Sequence, residues 1–280
     1  MSDSTARADG FWDRATTAKA VLIVVAYLVY YVLVGQIVGW LFGDAIGDDP
    51  LDSATGILLA LVVPIAIGAV TLVVFAARLG WLRQIFGRQP VAGRGWMWIG
   101  PALVVAAIVG HVGSADWDAW GVDQIVTLAL AGVCIGVAEE LVTRGLAVKV
   151  LRDAGHSERY VVIVSSLLFA LMHTANLISG MEVATVLFTL VYTFAFGTCM
   201  YLAMRVTGTI WAAIVLHACT DPTTILSVGG IDEGVGGQDG AFAGLALAAT
   251  VGLIVFGFIA VLFVKGRAGV APAAEPAPQP

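Results

Sequence analysis

Charge is what this sequence has least of: 12% of its 280 residues are Asp, Glu, Lys or Arg, about half the roughly 25% of a soluble domain. Hydrophobic residues make up 59%. That balance excludes a soluble fold, because no interior could hide so much apolar surface, and it makes lipid the solvent. Cysteine is almost absent. Cys134, Cys199 and Cys219 all lie in apolar stretches, which excludes a disulfide framework and leaves them as small packing residues. There is no internal repeat. No nucleic-acid partner is expected, and the net charge of −6 is segregated by loop. No cleaved leader is expected either. The first apolar run, about 20–42, exceeds the roughly 7–15 residues of a signal-peptide core, and no small-residue cleavage site follows it, so it reads as a retained span.

What is there is a series of apolar runs. A spanning helix needs about 20 mostly apolar residues, and eight runs qualify: about 20–42, 55–77, 96–113, 123–147, 160–178, 183–205, 209–227 and 242–264. The expected fold is an all-α polytopic membrane protein, a bundle of about eight transmembrane helices. Its parts are a polar N-terminal tail at 1–15, a helical domain at 16–267 and a Pro/Ala-rich disordered tail at 268–280. The seventh run is the weakest, because Pro222 interrupts it. With eight spans, all 14 Lys and Arg fall on one side, from Arg7, Arg14 and Lys19 to Lys265 and Arg267. The opposite loops hold only acids, such as Asp49, Asp118 and Asp232. Basic loops stay cytoplasmic, so both termini are expected there, in a multi-pass protein of the plasma membrane. An odd number of spans would destroy the partition.

Inside the spans, charge costs about 2.5–3.5 kcal/mol per residue on insertion scales and marks function by default. The fourth span holds Glu139-Glu140-Leu141-Val142-Thr143-Arg144. Glu140 and Arg144 are i,i+4 neighbours and can pair, while Glu139 points about 100° away. The bland alternative is a helix end snorkelling to the interface. The fifth span holds Phe169 and, one turn on, His173. The seventh holds His217 and Asp221 on one face, followed by Pro222, which cannot donate to the Ala218 carbonyl and tends to kink a helix. Each signal alone is weak; a lone His in an apolar helix is usually a packing residue. Together they bury two Glu, two His and an Asp in three helices. Two His and a Glu match a catalytic zinc site with an open water position, and a second Glu matches its general base. His111 reads as interfacial and His156 as solvated.

On these motifs the chain resembles the CPBP intramembrane proteases, which include the type II CAAX prenyl proteases and bacteriocin-processing or self-immunity proteins. Their pattern is EExxxR, FxxxH, then HxxxN or HxxxD on successive helices. Glu139 to Arg144, Phe169 to His173 and His217 to Asp221 match it in order and spacing, over about residues 120–230. The resemblance implies an eight-helix bundle with a water-filled cavity opening toward the cytoplasmic leaflet. It implies an endopeptidase acting on a membrane-embedded or lipid-anchored peptide or protein. Asp221 stands where other members carry Asn.

Two mechanisms fit these residues. In one, a divalent metal, zinc foremost, is held by Glu140, His173, His217 and perhaps Asp221, and Glu139 takes a proton from its water. In the other, a Glu–His pair, Glu140 with His173, activates water directly, while His217 and residue 221 stabilise the oxyanion. The first is preferred, because Asp221 is a better ligand than oxyanion donor. In both, Arg144 neutralises a carboxylate. Two rivals remain: a transporter with a buried Glu/His relay, which predicts an inverted repeat, and a catalytically silent immunity or binding protein.

Overall fold

The computed structural model describes residues 10–12, 14–230 and 240–269. Most of both expected tails lies outside these residues, as do Asp232, Glu233 and Asp239. The described chain is all helical in its long elements. Seven helices are long and apolar enough to cross a membrane: α1 Thr17–Ile46, α2 Ala54–Arg78, α3 Gly95–Ser114, α4 Val122–Asp153, α5 Glu158–Leu177, α6 Val183–Thr207 and α8 Ala241–Phe263. Between α6 and α8 lies α7, Ile210–Val228, a helix of 19 residues. It is the weak seventh run, diluted by the polar groups it carries. Pro222 sits inside it without ending it, so the expected interruption does not occur.

Hydrogen bonds show that α7 nevertheless runs the full depth of the bundle. Next to its start, the Gly208 carbonyl accepts from the Gln89 amide at 2.9 Å, among Arg88, Arg94 and the other basic residues. Near its end, the Leu226 carbonyl accepts from the Trp120 indole at 3.2 Å, in the acid-rich loops. All eight helices therefore alternate between a basic end and an acidic end. The described start of the chain and its described finish share the basic end: Thr17 Oγ1 meets His156 Nε2 at 2.9 Å, and the Glu158 amide donates to the Gly266 carbonyl at 2.9 Å. His156 is thus a partly buried clamp that also stacks on Tyr160, rather than a solvated residue. Reporter fusions check the alternation. Fusions after Asp49 and Asp118 are expected on the side opposite fusions after Arg88 and Arg152, and a shared side for Asp118 and Arg88 would break the eight-helix topology.

Lipid supplies no hydrophobic drive between helices, so packing must come from close approach of small residues. The helices are accordingly inside out. On α8 the buried face is mostly small, Ala243, Ala246, Ala249, Thr250, Gly257 and Ala260 with Leu253 and Val261, while Phe242, Val251, Val255, Phe258 and Leu262 are exposed. A Cβ on Gly110 would lie 2.5 Å from the Ala246 amide nitrogen, and one on Gly257 would lie 2.7 Å from the Ala195 Cα. His111, on the same helix as Gly110, is 2% exposed. It is enclosed by protein, not an interfacial ring.

The basic end is closed by a buried ion network centred on Glu158. Arg152 grips its carboxylate with two bonds of 2.8 and 2.7 Å, Arg205 adds a third at 2.8 Å, and the Tyr201 hydroxyl donates to it as well. Arg152 also donates to the Gln89 side chain at 2.6 Å, and Arg205 to the Ala92 carbonyl at 2.7 Å. One carboxylate thus ties together α4, α5, α6 and the 89–92 loop, so Arg152 and Arg205 do more than mark the basic end.

Candidate active site

The three motifs converge. Glu140 is wholly buried. Its Oε1 accepts from Arg144 at 3.1 Å and pairs with His217 Nδ1 at 2.8 Å. The ring's other nitrogen faces two more carboxylates, Asp221 Oδ2 at 3.6 Å and Glu139 Oε2 at 3.8 Å. Arg144 lies over the Phe169 ring, 4.4 Å from its centre, and donates to Thr143 Oγ1 at 2.6 Å. Snorkelling is therefore excluded, since Arg144 is 2% exposed and points into the bundle. The expected i,i+4 pair is present.

Two local features set this arrangement. From Leu141 to Ala147 the helix widens into a π turn, a form that concentrates at functional sites. It begins immediately after Glu140 and carries Arg144. The second is the Gly132–Gly136 pair on α4. A Cβ on Gly132 would lie 2.3 Å from the Ala218 carbonyl oxygen, and one on Gly136 would lie 2.6 Å from the Ile214 carbonyl oxygen. The two backbones touch here, as small-xxx-small contacts allow. The Ala218 carbonyl, which Pro222 cannot serve, lies in this contact. The pairing brings Glu140 within reach of His217. Gly136→Val should force the helices apart, at about 1–3 kcal/mol for overpacking. We expect a lower thermal midpoint, read on purified protein.

His173 comes from the end of α5, where the helix tightens to a 3-10 turn at His173–Leu177. Its Nδ1 lies 3.1 Å from the Phe169 carbonyl. A carbonyl can only accept, so Nδ1 carries the proton, and in the neutral ring Nε2 keeps its lone pair. Phe169 therefore orients both sides of the site, with its carbonyl on His173 and its ring edge on His173 and His217. Glu139, His173 and Asp221 line a cavity of about 130 Å³, room for several waters. Tyr27, Tyr31 and Asn176 complete its polar wall. Glu140 does not reach this cavity. The two adjacent acids are thus divided, Glu139 toward the cavity and Glu140 into the core, as their 100° offset requires.

Asn176, Tyr27 and Tyr31 were not singled out in the sequence, though signals exist. Asn176 is three residues beyond His173, and Tyr27 and Tyr31 lie deep in an apolar span, whereas tyrosine favours the interfaces.

The fit of a metal ion follows from the same geometry. Among the described residues, no group of three or more His, Cys, Asp and Glu is arranged to hold one. Glu140 Oε1 is committed to Arg144 and His217, and Glu140 and His173 do not face a common space. The four expected donors, Glu140, His173, His217 and Asp221, do not fit a divalent ion as they stand.

Residues 121–223 match one family model, that of the type II CAAX prenyl endopeptidases, Rce1-like. This is the family the three motifs pointed to. The Rce1-like segment runs from the start of α4 to just past Asp221 and contains every motif residue. Helices α1 to α3 and α8 lie outside it, although Tyr27 and Tyr31 of α1 face its cavity. No curated protein and no solved structure matches the chain.

Proposed function

We propose that this protein is an intramembrane endopeptidase that hydrolyses a peptide bond of a membrane-embedded or lipid-anchored substrate with carboxylate-activated water. The observation that carries the proposal is that Glu139 and His173 line one cavity with room for several waters, inside a segment that matches a peptidase family. Glu139 takes a proton from water, and His173 Nε2 accepts the water's other hydrogen and orients it. The oxygen bonds to the scissile carbonyl carbon. As the carbon–nitrogen bond breaks, Glu139 returns its proton to the leaving amine. Glu140, Arg144 and His217 act as positioning residues behind this pair.

The oxyanion needs a donor, and an ionised Asp221 has none to give. The Asn176 amide on the cavity wall can supply one. Asn176→Ala is expected to lower turnover about 100-fold, the scale of one lost oxyanion donor, with an unchanged thermal midpoint. Unchanged turnover would remove Asn176 from the reaction.

No step in this scheme runs through a metal. Near-stoichiometric zinc in the purified wild type, lost from His173→Ala and His217→Ala, would restore the metal-centred scheme. With the basic end facing the cytoplasm, as loops that retain Lys and Arg do, both described ends lie on that side of the membrane. Membrane proteomes from cells carrying wild-type or Glu139→Gln alleles test the function and identify the substrate. Full-length proteins should accumulate, and cut fragments disappear, with the variant. Identical proteomes would favour a silent immunity or binding protein.

A further inference from the structure

A second cavity, of about 310 Å³, opens at the basic end between the short helix Leu82–Phe86, the following loop and the wide turn of α4. Its walls carry four cations, Arg88, Arg144, Lys149 and Arg152, and one acid, Asp153. Most of that charge is already answered. Lys149 pairs with Asp153, Arg152 with Glu158 and Arg144 with Glu140. Glu158 is shared with Arg205 outside the pocket, so at least one positive charge is left over. It belongs to Arg88, which is exposed and forms no ion pair among the described residues. Gln84 and Gln89 line the same space and add neutral donors.

The depth of this pocket is set by Trp81. Lys149 Nζ sits 4.6 Å from the centre of its ring, and tryptophan rings settle at headgroup level. Basic pockets between spans at the cytoplasmic face suit anionic headgroups.

We propose that this pocket binds the phosphodiester headgroup of an anionic phospholipid. A phosphodiester carries the single negative charge that Arg88 leaves unmatched. Its unbridged oxygens accept from the guanidinium of Arg88 and the side-chain amides of Gln84 and Gln89. The wall of the pocket includes Arg144 and Gly145 of the π turn, so an occupied pocket braces the helix segment that holds Glu140. The inference does not depend on proteolysis.

The test uses the purified full chain in phosphatidylcholine nanodiscs with increasing phosphatidylglycerol, read by thermal midpoint and by native mass spectrometry of retained lipid. Phosphatidylglycerol should be retained in preference to phosphatidylcholine and should raise the midpoint. Arg88→Gln should weaken the lipid's apparent affinity about fivefold, the value of one cation against an anionic leaflet. Arg83→Gln is the control, because Arg83 is exposed on the same short helix but is not among the pocket's lining residues; it should leave the affinity unchanged. Equal retention of the two lipids would overturn the proposal. So would an equal loss from Arg83→Gln, which would indicate diffuse surface attraction. The same midpoint shift from millimolar inorganic phosphate in pure phosphatidylcholine discs would assign the pocket to a soluble anion and overturn the lipid.

Discussion

Replacing Glu139 by Gln is expected to cut peptide hydrolysis by about 10²–10⁴-fold, the usual contribution of a positioned general base. The variant should insert and melt like the wild type. Glu139 sits at the edge of a cavity with its side chain 22% exposed, and His217 keeps its 2.8 Å pairing with Glu140 when Glu139 loses its charge. Glu140→Gln should behave differently. It removes the anion that binds both Arg144 and His217, so turnover and thermal midpoint should fall together. Purified variants assayed on one membrane peptide, with melting followed in parallel, separate the two acids. Equal stability loss in both would mean that Glu139 is as structural as Glu140.

The second large effect is on stability. Arg144→Ala removes the guanidinium paired with Glu140, and breaking a buried pair from one side costs about 3–5 kcal/mol. It also empties the space over the Phe169 ring that Arg144 fills. Gly197 shows how tightly that space is shaped, since a Cβ there would lie 2.7 Å from Arg144 Nη2. The variant should express poorly and unfold at lower denaturant. Combining it with Glu140→Gln should recover part of the stability, because the double variant no longer strands a buried anion, but none of the activity. A single Arg144→Ala protein as stable as the wild type would mean that this ion pair contributes little.

The motif residues were legible because charge inside lipid is costly and therefore conspicuous. Five ionisable side chains in three apolar helices announced the site, and helix geometry alone divided Glu139 from Glu140. The alternation of basic and acidic loops likewise supplied the eighth helix, which length and apolarity pass over because His217, Asp221 and Pro222 dilute it. Other features were hidden for physical reasons. Leu141–Ala147 reads as ordinary helix, since a π turn has no residue signature and depends on what packs around it. Glu158 stood in a basic loop as one acid among many, and its burial follows only from four helix ends meeting. Gly132 and Gly136 became meaningful when Ala218 and Ile214 were found against them. The arrangement of the expected metal donors was hidden at the same level. Residue types matched a zinc centre, but the distances tie Glu140 to Arg144 and His217 instead.

The most direct test is cleavage of a membrane peptide by purified protein in chelator-treated liposomes prepared in ¹⁸O-water, read by mass spectrometry. The account predicts a cut with one ¹⁸O in the new carboxyl group, produced by the wild type and absent with Glu139→Gln and His173→Ala. Cleavage by Glu139→Gln at the wild-type rate would contradict it.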